Sequence, residues 1–225
     1  MTPLLTCVEI PASSQPTYSI IWLHGLGADG HDFEGVIPEL TLNQTEKINF
    51  IFPNAPIQPI TIYDGAPMPS WYDILEASLD REVAVDDIYA SSAQLDQLIQ
   101  REIDNGIKAE NILLAGFSQG GVIALHTGLR SEHKLAGIMA LSTYLPTTER
   151  IKSERTPINH DISIFMAHGS MDTMIHPHIA KQAYNDLQAL NYPISWHEYP
   201  MEHSLCMEEI LDISNFINQV FSTTL

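Results

Sequence analysis

Short, almost uninterrupted apolar runs recur along the chain, separated by stretches with helical spacing or by proline- and glycine-rich turns. Tyr18 to His24, Ile48 to Phe52, Asn111 to Gly116, Leu135 to Leu141, Ile162 to His168 and Ile194 to Tyr199 each read as a strand. Runs of this kind lack the in-out alternation of a half-exposed sheet and mark strands covered on both faces. Between them, Val83 to Gly106 carries Val85, Ile88, Leu95, Leu98, Ile99 and Ile103 at helical spacing, with Gly106 as a C-terminal stop. Gly120 to Arg130, Pro177 to Leu190 and Met207 to Phe221 read as further helices, and His31 to Leu40 as a short, weak one. Pro146 to His160 reads as a polar loop. Residues 53 to 73 read as a long irregular stretch that holds five prolines, Pro53, Pro56, Pro59, Pro67 and Pro69. A loop of that length inside a compact chain is usually functional. Strand and helix in alternation predict an α/β fold, a mostly parallel central sheet with helices on both faces. No linker or repeat interrupts the pattern, so residues 1–225 read as one domain.

Composition narrows the function. The chain has 225 residues, 44 % of them apolar and 17 % charged, enough apolar surface for a packed core. Ten Lys and Arg against 28 Asp and Glu leave a formal net charge of −18. Such a surface repels phosphate backbones and anionic leaflets, which argues against nucleic-acid partners and stable membrane insertion. The N-terminus lacks the features of a signal or transit peptide, and Cys7 and Cys206 read as free thiols, Cys7 on a strand. A cytoplasmic location is expected.

Two glycine motifs compete for the chemistry. Gly25-Leu-Gly-Ala-Asp-Gly30 spells G-x-G-x-x-G after a strand. A dinucleotide site would also need an acidic residue at the end of the next strand to hold the ribose. That strand ends Phe52-Pro53-Asn54, so nucleotide binding is disfavoured. Gly116-Phe-Ser-Gln-Gly120 is G-x-S-x-G between an apolar strand and a small-residue helix, the context of a nucleophile elbow. The competing reading is a glycine-rich turn with an incidental serine. A nucleophilic serine needs a base and an orienting acid on loops after later strands, in the order Ser, acid, His. Asp172 follows the strand ending at His168, and His203 follows the strand ending at Tyr199. Ser118, Asp172 and His203 are the expected triad, with the N–H groups of Leu26 and Gln119 as oxyanion donors. Other candidates fit less well. His197 and Glu198 lie within a strand, and His168 reads as a core or supporting histidine. His176 and His178 lack a third metal ligand, so no metal is expected.

Taken together, His24-Gly-Leu-Gly-Ala-Asp-Gly30, Phe52-Pro-Asn-Ala-Pro56, Ser70-Trp-Tyr-Asp73, Gly116-Phe-Ser-Gln-Gly-Gly121, His168-Gly-Ser-Met-Asp172 and Glu198-Tyr-Pro-Met-Glu-His-Ser204 resemble the acyl-protein thioesterase and carboxylesterase family of serine α/β-hydrolases. The resemblance covers nearly the whole chain. It implies an α/β-hydrolase fold without a large cap, no cofactor, and cleavage of esters or thioesters of small, lipid-like or protein-borne acyl groups. It also implies Ser118, Asp172 and His203 as triad, Leu26 and Gln119 as oxyanion donors, Trp71 and Met174 along the acyl channel, and a homodimer. The family commonly carries a small residue before the histidine; Glu202 stands here and alters the charge and shape of the mouth. Within residues 53–79, Trp71, Ile74, Leu75 and Leu79 are expected to wall an apolar groove that would suit a lysophospholipase or a long-chain thioesterase; the plainer reading is an Ω-loop with its own small core. A reading of another class is a binding protein that keeps the fold without the chemistry.

Overall fold

The structure is a computed structural model that describes residues 4–76 and 82–222. Among the described residues nine strands and five α-helices follow one another: β1 Cys7–Ile10, β2 Tyr18–Leu23, β3 Ile48–Pro53, β4 Ile57–Ile60, β5 Ala66–Pro69, α1 Val85–Asp104, β6 Ile112–Phe117, α2 Gln119–Arg130, β7 Gly137–Leu141, α3 Thr148–Glu154, β8 Ser163–Gly169, α4 Pro177–Ala189, β9 Ile194–Tyr199 and α5 Met207–Ser222. Seven strands form one sheet in the order β1-β3-β2-β6-β7-β8-β9. Only β1 runs antiparallel, pairing Cys7 with Pro53 and Ile10 with Phe50; the other pairs are parallel.

The apolar runs divide by residue parity between two cores. On one face Ile21, Leu23, Leu114, Ile138 and Met166 pack with Ile88 of α1, Val122 of α2, Ile151 of α3 and Leu187 of α4. On the other face Ile20, Trp22, Leu113, Met139 and Phe165 pack with Phe33 and with Ile213, Phe216 and Ile217 of α5. Successive side chains of a strand point to opposite faces, so a strand covered twice must be apolar at every position. β9 is an edge strand with polar breaks: His197 packs on Phe165 while Glu198 is exposed.

Three expectations change. The His31–Leu40 segment is a 3₁₀ helix over Glu34–Glu39, with Pro38 inside it. The polar 146–160 stretch contains helix α3, which buries Ile151 as its one fully covered residue. Its polar sequence hides it because tertiary partners hold it: Arg130 pairs with Glu154 at 2.9 Å, and the Tyr89 hydroxyl donates to the same carboxylate at 2.7 Å. The proline-rich stretch is not irregular throughout. β4 and β5 form a separate antiparallel hairpin, pairing Pro59 with Pro67 and Ile57 with Pro69. Prolines cannot donate to a ladder, which confines such strands to a small hairpin outside the main sheet.

Glu209 of α5 is fully buried and neither carboxyl oxygen has a well-formed hydrogen bond. Burial pushes its carboxyl up to about 8, against a weaker pull from the Cys206 N–H and a further push from Asp212. The folded chain therefore keeps a proton there that the unfolded chain loses above its ordinary value of 4.5, and stability falls as pH rises from about 4.5 to about 8. The loss approaches ~4 kcal/mol at the alkaline end. Glu209→Gln is expected to raise the thermal midpoint at pH 8, with the advantage shrinking steadily as pH falls to 5. A gain that does not depend on pH overturns the burial account.

Candidate active site

The site forms where β6 turns into α2. Ser118 sits between them at φ 54°, ψ −119°, a conformation that L-residues seldom adopt. The turn is possible because the backbones on either side touch. A Cβ on Gly116 would lie 2.2 Å from the Gly120 carbonyl, and one on Gly120 would lie 2.4 Å from the Leu23 oxygen. The tight turn raises Ser118 into a cavity of about 380 Å³ lined also by Leu26, Gln119, Phe117, Met174 and His203. Gln119 is the first residue of α2, so its N–H has no acceptor within the helix.

Two later loops bring the other predicted residues to this cavity. Asp172 follows β8 and is buried. One of its oxygens, Oδ1, accepts from the N–H groups of Met174 at 2.8 Å and Ile175 at 2.9 Å. The other, Oδ2, accepts from His203 Nδ1 at 2.7 Å. Burial alone would push this carboxyl up, but the hydrogen bonds from His203 and Ile175 outweigh it and hold the carboxyl below its ordinary value. His203, in the loop after β9, has its ring against Phe117, with centroids 4.7 Å apart. Its side chain is 18 % exposed and lines the same cavity as Ser118.

The residues that sequence reasoning set aside have other places. His168 is fully buried under the Asp172 loop, its Nε2–H donating to the Ile175 carbonyl at 2.7 Å and lying 3.4 Å from Asp172 Oδ2. Burial holds its imidazole below the ordinary value, so it supports the loop as a neutral ring. His197 faces Asp212 at 3.5 Å on the outer strand. His176 and His178 stack on each other, and among the described residues no group of three or more His, Cys, Asp and Glu gathers as a metal site. The Gly25–Gly30 loop leads into no α-helix; Gly25, Leu26 and Ala28 line the Ser118 cavity instead. Glu202 is exposed beside His203.

Among the expected substrate contacts, Met174 lines the cavity and Trp71 does not. Trp71 is fully buried, with its indole N–H donating to the His24 carbonyl at 2.8 Å. The Gln119 side chain explains this placement: its Oε1 accepts from the Trp71 N–H at 3.1 Å and its Nε2 donates to the Tyr72 carbonyl at 2.8 Å. These bonds pull the 70–72 segment onto the elbow and turn Tyr72, rather than Trp71, into the cavity. Of the expected groove residues Ile74 lines the cavity, Leu75 is exposed, and Leu79 lies outside the described residues. Sequence reasoning gave Gln119 a backbone role only. The one available signal for its side chain was an amide at a position enclosed by glycines, where a polar group must find buried partners.

A serine raised on a glycine-flanked strand-to-helix turn within this sheet order is the arrangement of an α/β-hydrolase. The phospholipase/carboxylesterase family profile matches residues 5–221, and the chain belongs to that family, whose members hydrolyse carboxylic esters. Acyl-protein thioesterase 1 of Yarrowia lipolytica is 38 % identical over 224 residues, covering 96 % of this chain and 98 % of its own. The protein of the same name from Neurospora crassa is 37 % identical, covering 93 % of this chain and 89 % of its own. Among crystal structures, Arabidopsis thaliana SOBER1 superposes with a TM-score of 0.86 at 27 % identity, over 91 % of this chain and 99 % of its own. Zea mays acyl-protein thioesterase 2 has a TM-score of 0.84 over 96 % and 98 % of the two chains; at 23 % identity it speaks for the fold alone.

The elbow generates a direct prediction. Gly116→Ala places a methyl group against the Gly120 backbone, which has no flexible end to move aside. The expected loss is at least ~3 kcal/mol, read as a thermal midpoint lower by about 6 to 12 °C for a chain of this size. A midpoint within about 2 °C of wild type overturns the claim that the close approach sustains the turn.

Proposed function

We propose that this protein is a serine esterase and thioesterase in which Ser118 is the nucleophile, His203 the general base and acid, Asp172 the orienting acid, and the Leu26 and Gln119 N–H groups the oxyanion donors. One observation carries the reading: the His203 Nδ1–Asp172 Oδ2 hydrogen bond of 2.7 Å leads into the same cavity in which the strained Ser118 stands. A histidine whose Nδ1 is held by a carboxylate keeps Nε2 available for the serine proton. Ser118 Oγ attacks the acyl carbon while its proton passes to His203 Nε2. The carbonyl oxygen takes up the electron pair and faces the two N–H groups. The C–O or C–S bond then breaks, and the departing oxygen or sulfur takes the proton from His203. Water repeats the sequence on the acyl-enzyme, releasing the acid and restoring Ser118.

The substrate class follows from the cavity and the relatives. Leu26, Ile62, Met68, Ile74, Met174 and Ile175 give it apolar walls suited to an acyl chain. Homologues named acyl-protein thioesterase support acylated cysteine side chains of proteins as substrates, beside small lipid-like esters. Two free thiols and the absence, among the described residues, of any helix long and apolar enough to cross a membrane support action in the cytoplasm.

Labelling with a fluorophosphonate probe, followed by assays on nitrophenyl esters and acyl thioesters, tests the assignment. Wild type is expected to label and Ser118→Ala not to, with turnover lower by about four to six decades. Folded wild-type protein that neither labels nor hydrolyses any ester would mark a binding protein instead. For the acid, Asp172→Asn is expected to lower kcat by about 10⁴, because the amide can hold the ring yet favours the wrong tautomer. Glu198→Gln, on the exposed side of β9, is expected to stay near wild type; the opposite ranking reassigns the acid.

A further inference from the structure

Behind the Ser118 cavity lies a second one, of about 410 Å³, between the segment after β7 and helix α4. Leu145, Pro146, Ile179 and Ala183 give it apolar walls, and His178, Gln182 and Asp186 line the rest. Tyr144 lines both cavities, and among the described residues no other does. It is 4 % exposed, and its hydroxyl meets that of the fully buried Tyr72 at 3.2 Å. Its position relative to the nucleophile is held by the backbone. Ser142 stands at φ 45°, with its N–H bonded to the Ala167 carbonyl at 2.8 Å. The Thr143 hydroxyl donates to the Ser118 carbonyl at 2.7 Å. A left-handed non-glycine residue persists only where its surroundings determine it, and such residues concentrate at functional sites. Ser142 and Thr143 thus tie the ring of Tyr144 to the elbow, so the wall between the cavities stands at a constant distance from Ser118.

From this we infer that Tyr144 is the residue that determines acyl-chain length. Tyr144 lines the acyl cavity and the cavity between Pro146 and α4 alike, so the second is the space that a longer chain would enter if the ring were absent. The inference rests on the reading of the Ser118 cavity as the acyl site. In an apolar cavity each added methylene strengthens transition-state binding about fourfold until the chain meets a wall.

The test is a series of nitrophenyl esters from butyrate to palmitate, each below its micelle concentration. In wild type, kcat/KM is expected to climb and then break at one chain length. Tyr144→Ala is expected to move the break outward, so that kcat/KM for an ester four carbons past the wild-type break, taken relative to butyrate, rises at least tenfold over wild type. Tyr144→Phe keeps the ring and is expected to keep the break. Tyr144→Trp is expected to move it inward, which also covers the case that the alanine variant does not fold. Adding Ile179→Trp to Tyr144→Ala fills the second cavity and is expected to return the break toward wild type. A climb without a break in wild type overturns the inference, as does a break unmoved in folded, butyrate-active Tyr144→Ala, or a phenylalanine variant that shifts as far as alanine. Failure of wild type on every ester, butyrate included, would instead sink the hydrolase reading.

Discussion

Ser118 is held at φ 54° because α2 approaches β6 more closely than a Cβ at Gly116 would allow, and the end of β2 more closely than a Cβ at Gly120 would allow. The rest of the site is placed with reference to that contact. It places Gln119 on the cavity wall, sets its amide where it can take hold of Trp71 and Tyr72, and offers the Ser118 carbonyl to Thr143. Strained backbone of this kind costs on the order of 1–3 kcal/mol and is sustained by its surroundings. Here the surroundings are two fully covered cores, one on each face of the sheet.

The acid is arranged by a second economy of groups. Asp172 carries four interactions on two oxygens, two backbone N–H donors, one imidazole at 2.7 Å and a second imidazole at 3.4 Å. A buried carboxylate without such donors would take up a proton. With them it stays charged and can stabilise an imidazolium at His203, which is what acyl transfer asks of it. His168 belongs to this support rather than to the reaction, since its Nε2–H is directed chiefly to the Ile175 carbonyl that closes the same loop.

Much of the fold was legible because each strand of a doubly covered sheet must be apolar throughout, and the runs at Ile20–Leu23, Ile112–Ala115 and Ile138–Leu141 announce themselves. The candidate site was legible for a related reason. Gly116, Gly120 and Gly121 leave a signature in the chain because nothing larger fits, and Asp172 and His203 fall just past strand ends, where such sheets place their chemistry. Helix α3 was not legible, since its polar residues are bound by Arg130 and Tyr89, far away in sequence. The hairpin β4–β5 was hidden by its own prolines.

What the sequence determined by itself was local: periodicity, the absence of room at the elbow glycines, and the order along the chain of the candidate nucleophile, acid and base. Which side chains face the substrate was decided only by tertiary structure. Trp71 and Tyr72 are adjacent aromatic residues with equal claim to an acyl channel, yet one donates to the His24 carbonyl in the interior while the other lines the cavity. The choice depends on the buried amide of Gln119, nearly fifty positions further on, and another part of the cavity wall is Tyr144, which meets Tyr72 across 72 residues of chain. Cavity walls are made of contacts between distant segments, and the preference of any one residue for water or core says nothing about which neighbour it will meet.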